Sequence, residues 1–262
     1  MRILYIGEIV AKLGREAVKE VLPTLISSDS IDLVIANAEN LAHGRGANKD
    51  TLGEMQSSGV NYFTGGDHIF WQKDFEDYAH EMPLACPANY PEPVLGKTFG
   101  IIELQEFKVV ILNLMGRTFM NENFDSPFQK IDYMLNSILP EQGVDSAKDF
   151  ILVDFHAEAS SEKSAFANYV DGRVNAVIGS HTHIPTADCQ ILPKGTYFVS
   201  DAGMTGSADS ILGVKTDIII NKYITARNQR FEWEEKGRAW FRSILIDTHT
   251  KMISRIDRLL SL

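Results

Sequence analysis

Short apolar runs recur along this chain, and most of them stop abruptly in a cluster of polar residues. Residues 2–10 are rich in Ile and Val, and Gly14-Arg15-Glu16 then opens a stretch with Val18, Leu22 and Leu25-Ile26 at helical spacing. That order reads as a strand followed by an amphipathic helix. Residues 31–36 repeat the run and end in Asn37-Ala38-Glu39-Asn40; residues 60–64 end in Gly65-Gly66-Asp67-His68, with a helix expected to start near Trp71. Three successive units of this kind favour a largely parallel sheet.

The middle of the chain changes character. Residues 98–104 and 107–113 are apolar runs too close together for a crossover helix, so they predict an antiparallel hairpin. A helix is expected over 127–139. Residues 150–156 and 174–181 return to the strand-then-polar-loop pattern with a helix between them, and the tail favours strands at 241–247 and 252–256. No Gly, Pro or Ser linker, internal repeat or low-complexity block divides the chain. The expectation is one α/β domain over residues 1–262, with two sheets packed face to face and helices outside.

Charge and composition narrow the function. The chain carries 25 Lys and Arg against 35 Asp and Glu, a formal charge of −10, which argues against wrapping extended nucleic acid by charge alone. No apolar run approaches the roughly 20 residues of a membrane-spanning helix. The opening residues read as a first strand rather than a signal peptide. Cys86 and Cys189 lie outside any metal-ligand spacing and are expected to be reduced thiols of a cytoplasmic protein.

In open α/β sheets, sites form at strand ends. The residues there are Glu8, then Glu39 and Asn40, Asp67 and His68, His156, and finally His181 with His183. Five of the seven histidines sit at or beside these ends, His43 being the fifth. Taken singly, most have an ordinary structural explanation. Gly7-Glu8 suits a turn, residues 37–40 suit a helix N-cap with an acidic first turn, and a lone His156 is more often a hydrogen-bonded core histidine. His181-Thr182-His183 is stronger, because alternate residues of an extended chain project to one side. Three histidines with two or three carboxylates are too many ligands for one tetrahedral ion. Two ions sharing a carboxylate, roughly 3.5–4 Å apart, fit better and point to phosphoester hydrolysis.

These residues lie within a longer series of blocks. They include Ile6-Gly7-Glu8-Ile9-Val10 with Gly14-Arg15, Asn37-Ala38-Glu39-Asn40 with Ala42-His43-Gly44-Arg45-Gly46, and Gly66-Asp67-His68. Further along come Pro87-Ala88-Asn89-Tyr90-Pro91, residues 113–119, residues 154–163, Gly179-Ser180-His181-Thr182-His183, residues 192–196 and residues 201–206. With these blocks the chain resembles, over almost its whole length, the bacterial YmdB-like metallophosphoesterases of the calcineurin-like superfamily. The resemblance implies a four-layer α/β/β/α sandwich and two divalent or mixed-valence ions, iron or manganese. It also implies phosphodiesterase activity that includes 2′,3′-cyclic nucleotides. By the same resemblance Glu39 bridges both ions, Glu8, Asn40 and His183 complete one site, and Asp67, His156 and His181 complete the other. His68 is then the acid that protonates the leaving oxygen.

Two ligand positions depart from the family's pattern, which has Asp where this chain has Glu8 and Asn where it has Asp67. The extra methylene of Glu8 displaces its carboxylate or its ion, and shifts near 1 Å matter in a preorganised site. Asp67 adds a negative charge, which favours metal but attracts an anionic phosphodiester less. The favoured function is hydrolysis of small phosphodiesters by a metal-bridging hydroxide in the cytoplasm. Alternatives are a weakly active regulatory or nucleotide-sensing protein and an RNA-cleaving nuclease, the latter disfavoured by the charge of −10. Arg117 and Lys194 read as solvated loop cations, and a homo-oligomer stays open.

Overall fold

The computed structural model describes residues 1–262. The chain begins β1 (Arg2–Ile6), α1 (Ala11–Ser28), β2 (Leu33–Asn37), α2 (Lys49–Ser57), β3 (Tyr62–Thr64), α3 (Phe75–Tyr78) and β4 (Leu84–Ala85). It continues β5 (Phe99–Glu103), β6 (Lys108–Met115), α4 (Pro127–Tyr133), α5 (Leu139–Glu141), β7 (Phe150–His156), α6 (Ser160–Tyr169) and β8 (Ala176–Ser180). The last elements are β9 (Gln190–Ile191), β10 (Tyr197–Val199), β11 (Gly206–Ser207), α7 (Thr216–Thr225), β12 (Arg238–Asp247) and β13 (Met252–Ser261).

β1 to β4 lie side by side and parallel, as the three opening units predict. The tail then enters the same sheet: β12 runs antiparallel along the other side of β1, with Arg2 opposite Asp247, and β11 and β13 both pair with β12. The second sheet has the order β5-β6-β7-β8-β10-β9. Its first pair is the expected antiparallel hairpin, Phe99 opposite Leu112, and β6, β7, β8 and β10 are parallel.

Strand side chains alternate between faces, and that alternation builds three cores. Ile3 and Tyr5 of β1 point between the sheets and pack with Ile111, Leu152 and Ile178 of the second sheet. Leu4 and Ile6 point the other way, onto Leu13, Val18 and Leu22 of α1. On the far side of the second sheet, Val110, Leu112 and Val153 pack with Ile131 of α4 and Phe166 of α6. The result is the α/β/β/α sandwich. No helix is long and apolar enough to cross a membrane.

Three local expectations differ from the structure. The first strand stops at Ile6 because the backbone donors beyond it go to different neighbours: Gly7 N to Arg242 O at 3.1 Å, Ile9 N to Asn37 O at 3.1 Å and Val10 N to Thr205 O at 2.8 Å. A Cβ on Gly7 would run into the Gly203 carbonyl, so this crossing needs glycine. The helix expected near Trp71 is only a 3-10 turn over Ile69–Trp71, followed by the one-turn α3. Gln72 breaks it, extended at φ −78° and ψ 131° with its Nε2 donating to Arg45 O at 2.7 Å. The tail, expected to favour strands, also contains a helix, α7, which buries only Ile219.

Candidate metal centre

The strand ends of both sheets meet at one place. The first sheet brings Glu8 beyond β1, Glu39 and Asn40 beyond β2, and Asp67 and His68 beyond β3. The second brings His156, the last residue of β7, with His181 and His183 just past β8. His156 Nε2 lies 3.0 Å from Asp67 Oδ1 and 3.3 Å from Glu39 Oε2. His181 Nδ1 lies 3.1 Å from His156 Nε2 and 3.5 Å from Asp67 Oδ1. Asn40 Nδ2 donates to Glu39 Oε1 at 2.8 Å and stands 3.3 Å from His183 Nε2, while its Oδ1 is 2.9 Å from His68 Nδ1. The His68 amide donates to Glu39 Oε2 at 3.2 Å. A Cβ on the intervening Gly66 would strike that carboxylate and the His156 ring.

Two groups of donor atoms are tight enough for an ion: Asp67, His156 and His181, and Glu39, Asp67 and His68, each within 4.8 Å. Glu8 and His183 stand outside both groups. Glu8 accepts the His181 amide with Oε1, while Oε2 is buried without a partner, as is His183 Nδ1. Arg117 and Lys194 are exposed.

Burial and crowding set the protonation of the cluster. Burial, aided by Asp201, pushes the Glu8 carboxyl well above its usual range. Burial, with Asp67 and Glu8 nearby, does the same to Glu39. Burial also opposes ionisation of Asp67, but the neighbouring His156 and His181 imidazoles outweigh it and hold that carboxyl well below its usual value. Burial lowers His156 and His183 to about 4, so both imidazoles are neutral near pH 7. Neutral imidazoles and crowded carboxylates, with two buried polar atoms unpartnered, are the donor set that divalent cations satisfy.

The alternate histidines do not face the site from an extended chain, as their spacing suggested. β8 ends at Ser180, and His181 and His183 take φ values of 96° and 64°, in the left-handed region. Such backbone costs about 1–3 kcal/mol per residue and persists only where the surroundings fix it. Here Asp201 fixes it, accepting from Thr182 N at 3.1 Å, Thr182 Oγ1 at 2.8 Å and Lys163 Nζ at 2.7 Å. Lys163 and Asp201 are both buried. Lys163→Met leaves Asp201 buried and unpaired, and is expected to lower the unfolding free energy by about 3–5 kcal/mol. The check is the urea midpoint, and an unchanged midpoint contradicts this account.

A second support lies beneath His156. The buried Asp154 carboxylate accepts from Tyr5 Oη at 2.6 Å, Thr64 Oγ1 at 2.5 Å, Asn37 Nδ2 at 3.0 Å and Ser180 Oγ at 2.5 Å. It thereby ties β1, β2 and β3 to β7 and β8. With its proton given to Asp154, Ser180 Oγ accepts from His156 Nδ1 at 2.8 Å, which leaves the His156 Nε2 lone pair facing the cluster. Sequence reasoning gave Asp154, Ser180, Lys163 and Asp201 no role. The available signal was a carboxylate inside the otherwise apolar run of β7.

Comparison with known proteins finds likenesses in both sequence and fold. The family model for YmdB-like proteins matches residues 4–259. A 2′,3′-cyclic-nucleotide 2′-phosphodiesterase of Bacillus subtilis (strain 168) is 39% identical over 265 residues, covering 99% of this chain and 97% of the relative. The crystal structure of a hypothetical protein from Thermus thermophilus has a TM-score of 0.91 at 36% identity and covers 99% of both chains. That of a novel phosphatase from Mycoplasma pneumoniae has a TM-score of 0.88 at 31% identity, covering 99% of this chain and 93% of the other.

Proposed function

The chain belongs to the YmdB-like family, and from that membership we propose that it is a metal-dependent phosphodiesterase of small phosphodiesters, 2′,3′-cyclic nucleotides above all. The observation that carries the reading is the meeting of Glu39, Asp67, His68, His156 and His181 in two overlapping groups of ligand atoms. In this reading residues 1–262 act as one metallophosphoesterase domain in the cytoplasm, where Cys86 and Cys189 stay reduced. Glu39 would serve both of two ions, iron or manganese; Glu8, Asn40 and His183 would hold one, and Asp67, His156 and His181 the other. Such a pair, when bound, polarises phosphoryl oxygens and lowers the pKa of a shared water.

The chain's own groups do the rest. Ser180 and Asp154 keep His156 in one tautomer and orientation. Asn40 Oδ1 meets His68 Nδ1 and sets the direction of its ring, leaving Nε2 to deliver a proton to the departing oxygen. His68 suits that role better than His156, because its side chain is 25% exposed where that of His156 is fully buried. Metal analysis of the purified protein, paired with hydrolysis of 2′,3′-cyclic AMP under added iron or manganese, tests the reading. Protein that binds no metal and hydrolyses nothing under either ion overturns it.

The two departures from the family's pattern bear on turnover. Glu8 already spends Oε1 on the His181 amide, and Asp67 concentrates a third carboxylate on Glu39's side of the cluster. Glu8→Asp and Asp67→Asn are each expected to raise kcat/KM several-fold, and the double substitution most, without strict additivity because both act on one cluster. Kinetics and bound metal in all four forms provide the check. Losses in both single variants with recovery in the double would mean that the two residues compensate each other instead.

A further inference from the structure

Beside His68 the surface changes from carboxylates to cations and aromatic rings. Trp71 is 55% exposed, and its ring meets His68 edge-on with centroids 5.5 Å apart. Arg45 Cζ sits 4.5 Å from the Trp71 ring and 5.8 Å from that of Phe231, while Lys222 Nζ lies 5.1 Å from Phe231. Arg45, Lys222, Asn228, Gln229, Phe231 and Trp233 line a cavity of about 320 Å³. Neither cation forms an ion pair, although carboxylates outnumber cations in the chain by ten.

The shelf is built from the protein's backbone as well as its side chains. Gly44, at φ +77°, leaves room for the Trp233 ring, which a Cβ there would penetrate. The Arg45 carbonyl accepts from Gln72 Nε2 at 2.7 Å, so the loop bearing Arg45 and the turn bearing Trp71 are tied together. A solitary exposed Trp needs no explanation. This one is fixed under a guanidinium, and its ring meets that of the proposed acid.

We propose that the Arg45–Trp71–Phe231 shelf is a nucleobase subsite, which selects nucleotides among the small phosphodiesters that the neighbouring centre can reach. The inference rests on the phosphodiesterase reading for its substrate, but the shelf itself is a binding site. A cyclic nucleotide holds its base one ribose away from the phosphate, and the shelf begins next to His68. Stacking on an aromatic ring uses a face that every base possesses, and unpaired cations favour an anionic aromatic ligand over a neutral one.

The test compares the metal-loaded protein with its Trp71→Ala and Trp71→Phe variants on 2′,3′-cyclic AMP and on glycerol 1,2-cyclic phosphate, which has the same strained diester and no base. Trp71→Ala is expected to raise KM for the cyclic nucleotide by about 5- to 150-fold, the range of one base-stacking contact. The rise for the glycerol ester is far smaller, and Trp71→Phe restores most of the loss. Equal effects on both substrates, or none on the nucleotide, overturn the proposal. Calorimetric binding of adenosine 3′-monophosphate separates the two readings. If the unsubstituted protein turns over neither ester, the phosphodiesterase reading fails, and the shelf then stands or falls on whether Trp71→Ala weakens binding of that nucleotide.

Discussion

Replacing His181 or His183 with Ala is expected to lower bound metal and to bring phosphodiester hydrolysis to background in the same variant. The expectation for His181 rests on distance: its Nδ1 lies 3.1 Å from His156 Nε2 and 3.5 Å from Asp67 Oδ1, inside one of the tight donor groups. For His183 it rests on a buried Nδ1 without a partner and on Nε2 standing 3.3 Å from Asn40. Both residues sit in left-handed backbone, so the substitutions also probe whether the turn survives without its imidazoles. Asp201 and Lys163 hold that turn through Thr182 rather than through either histidine, and the variants are therefore expected to fold. Circular dichroism checks the fold, and elemental analysis counts the metal. A variant that keeps both its metal and its activity would move the centre away from this loop.

What the sequence discloses about this protein depends on how local the cause is. The apolar run of β1 is visible residue by residue, and so are the polar ends of β2, β3, β7 and β8, because burial on both faces writes itself directly into the order of apolar residues. The hairpin of β5 and β6 is equally local, since only four residues separate the two strands. Insertion of β12 beside β1 is not local: it joins Arg2 to Asp247, and no short-range signal specifies that pairing. The geometry of the His181 turn is hidden for a different reason. Spacing alone assumes an extended chain, whereas the conformation is imposed by Asp201 from another loop. Asp154 was legible as an anomaly in β7, but its partners Tyr5, Asn37, Thr64 and Ser180 come from four other strands and become a set only when both sheets are in place.

His68→Ala separates chemistry from metal binding. Its ring is placed by Asn40 Oδ1 at 2.9 Å, and its Nε2 lies 3.7 Å from Asp67 Oδ2, at the open side of the cluster. A general acid here matters in proportion to the basicity of the departing oxygen. For 2′,3′-cyclic AMP, which expels a ribose alkoxide, the substitution is expected to lower kcat by about 10²–10⁴ while bound metal stays nearly intact. A diester with a nitrophenolate leaving group needs little protonation and is expected to lose far less. The pH profile carries the same signature. Burial lowers the His68 pKa below its usual value, with Asp67 opposing that shift, so the acidic form is abundant only on the low side of the lowered value. Turnover of the cyclic nucleotide should therefore decline as pH rises through that pKa, and this decline should vanish in His68→Ala. Equal losses for alkoxide and nitrophenolate substrates, with the decline retained, would make His68 a ligand or a structural residue, because neither role distinguishes one leaving group from the other.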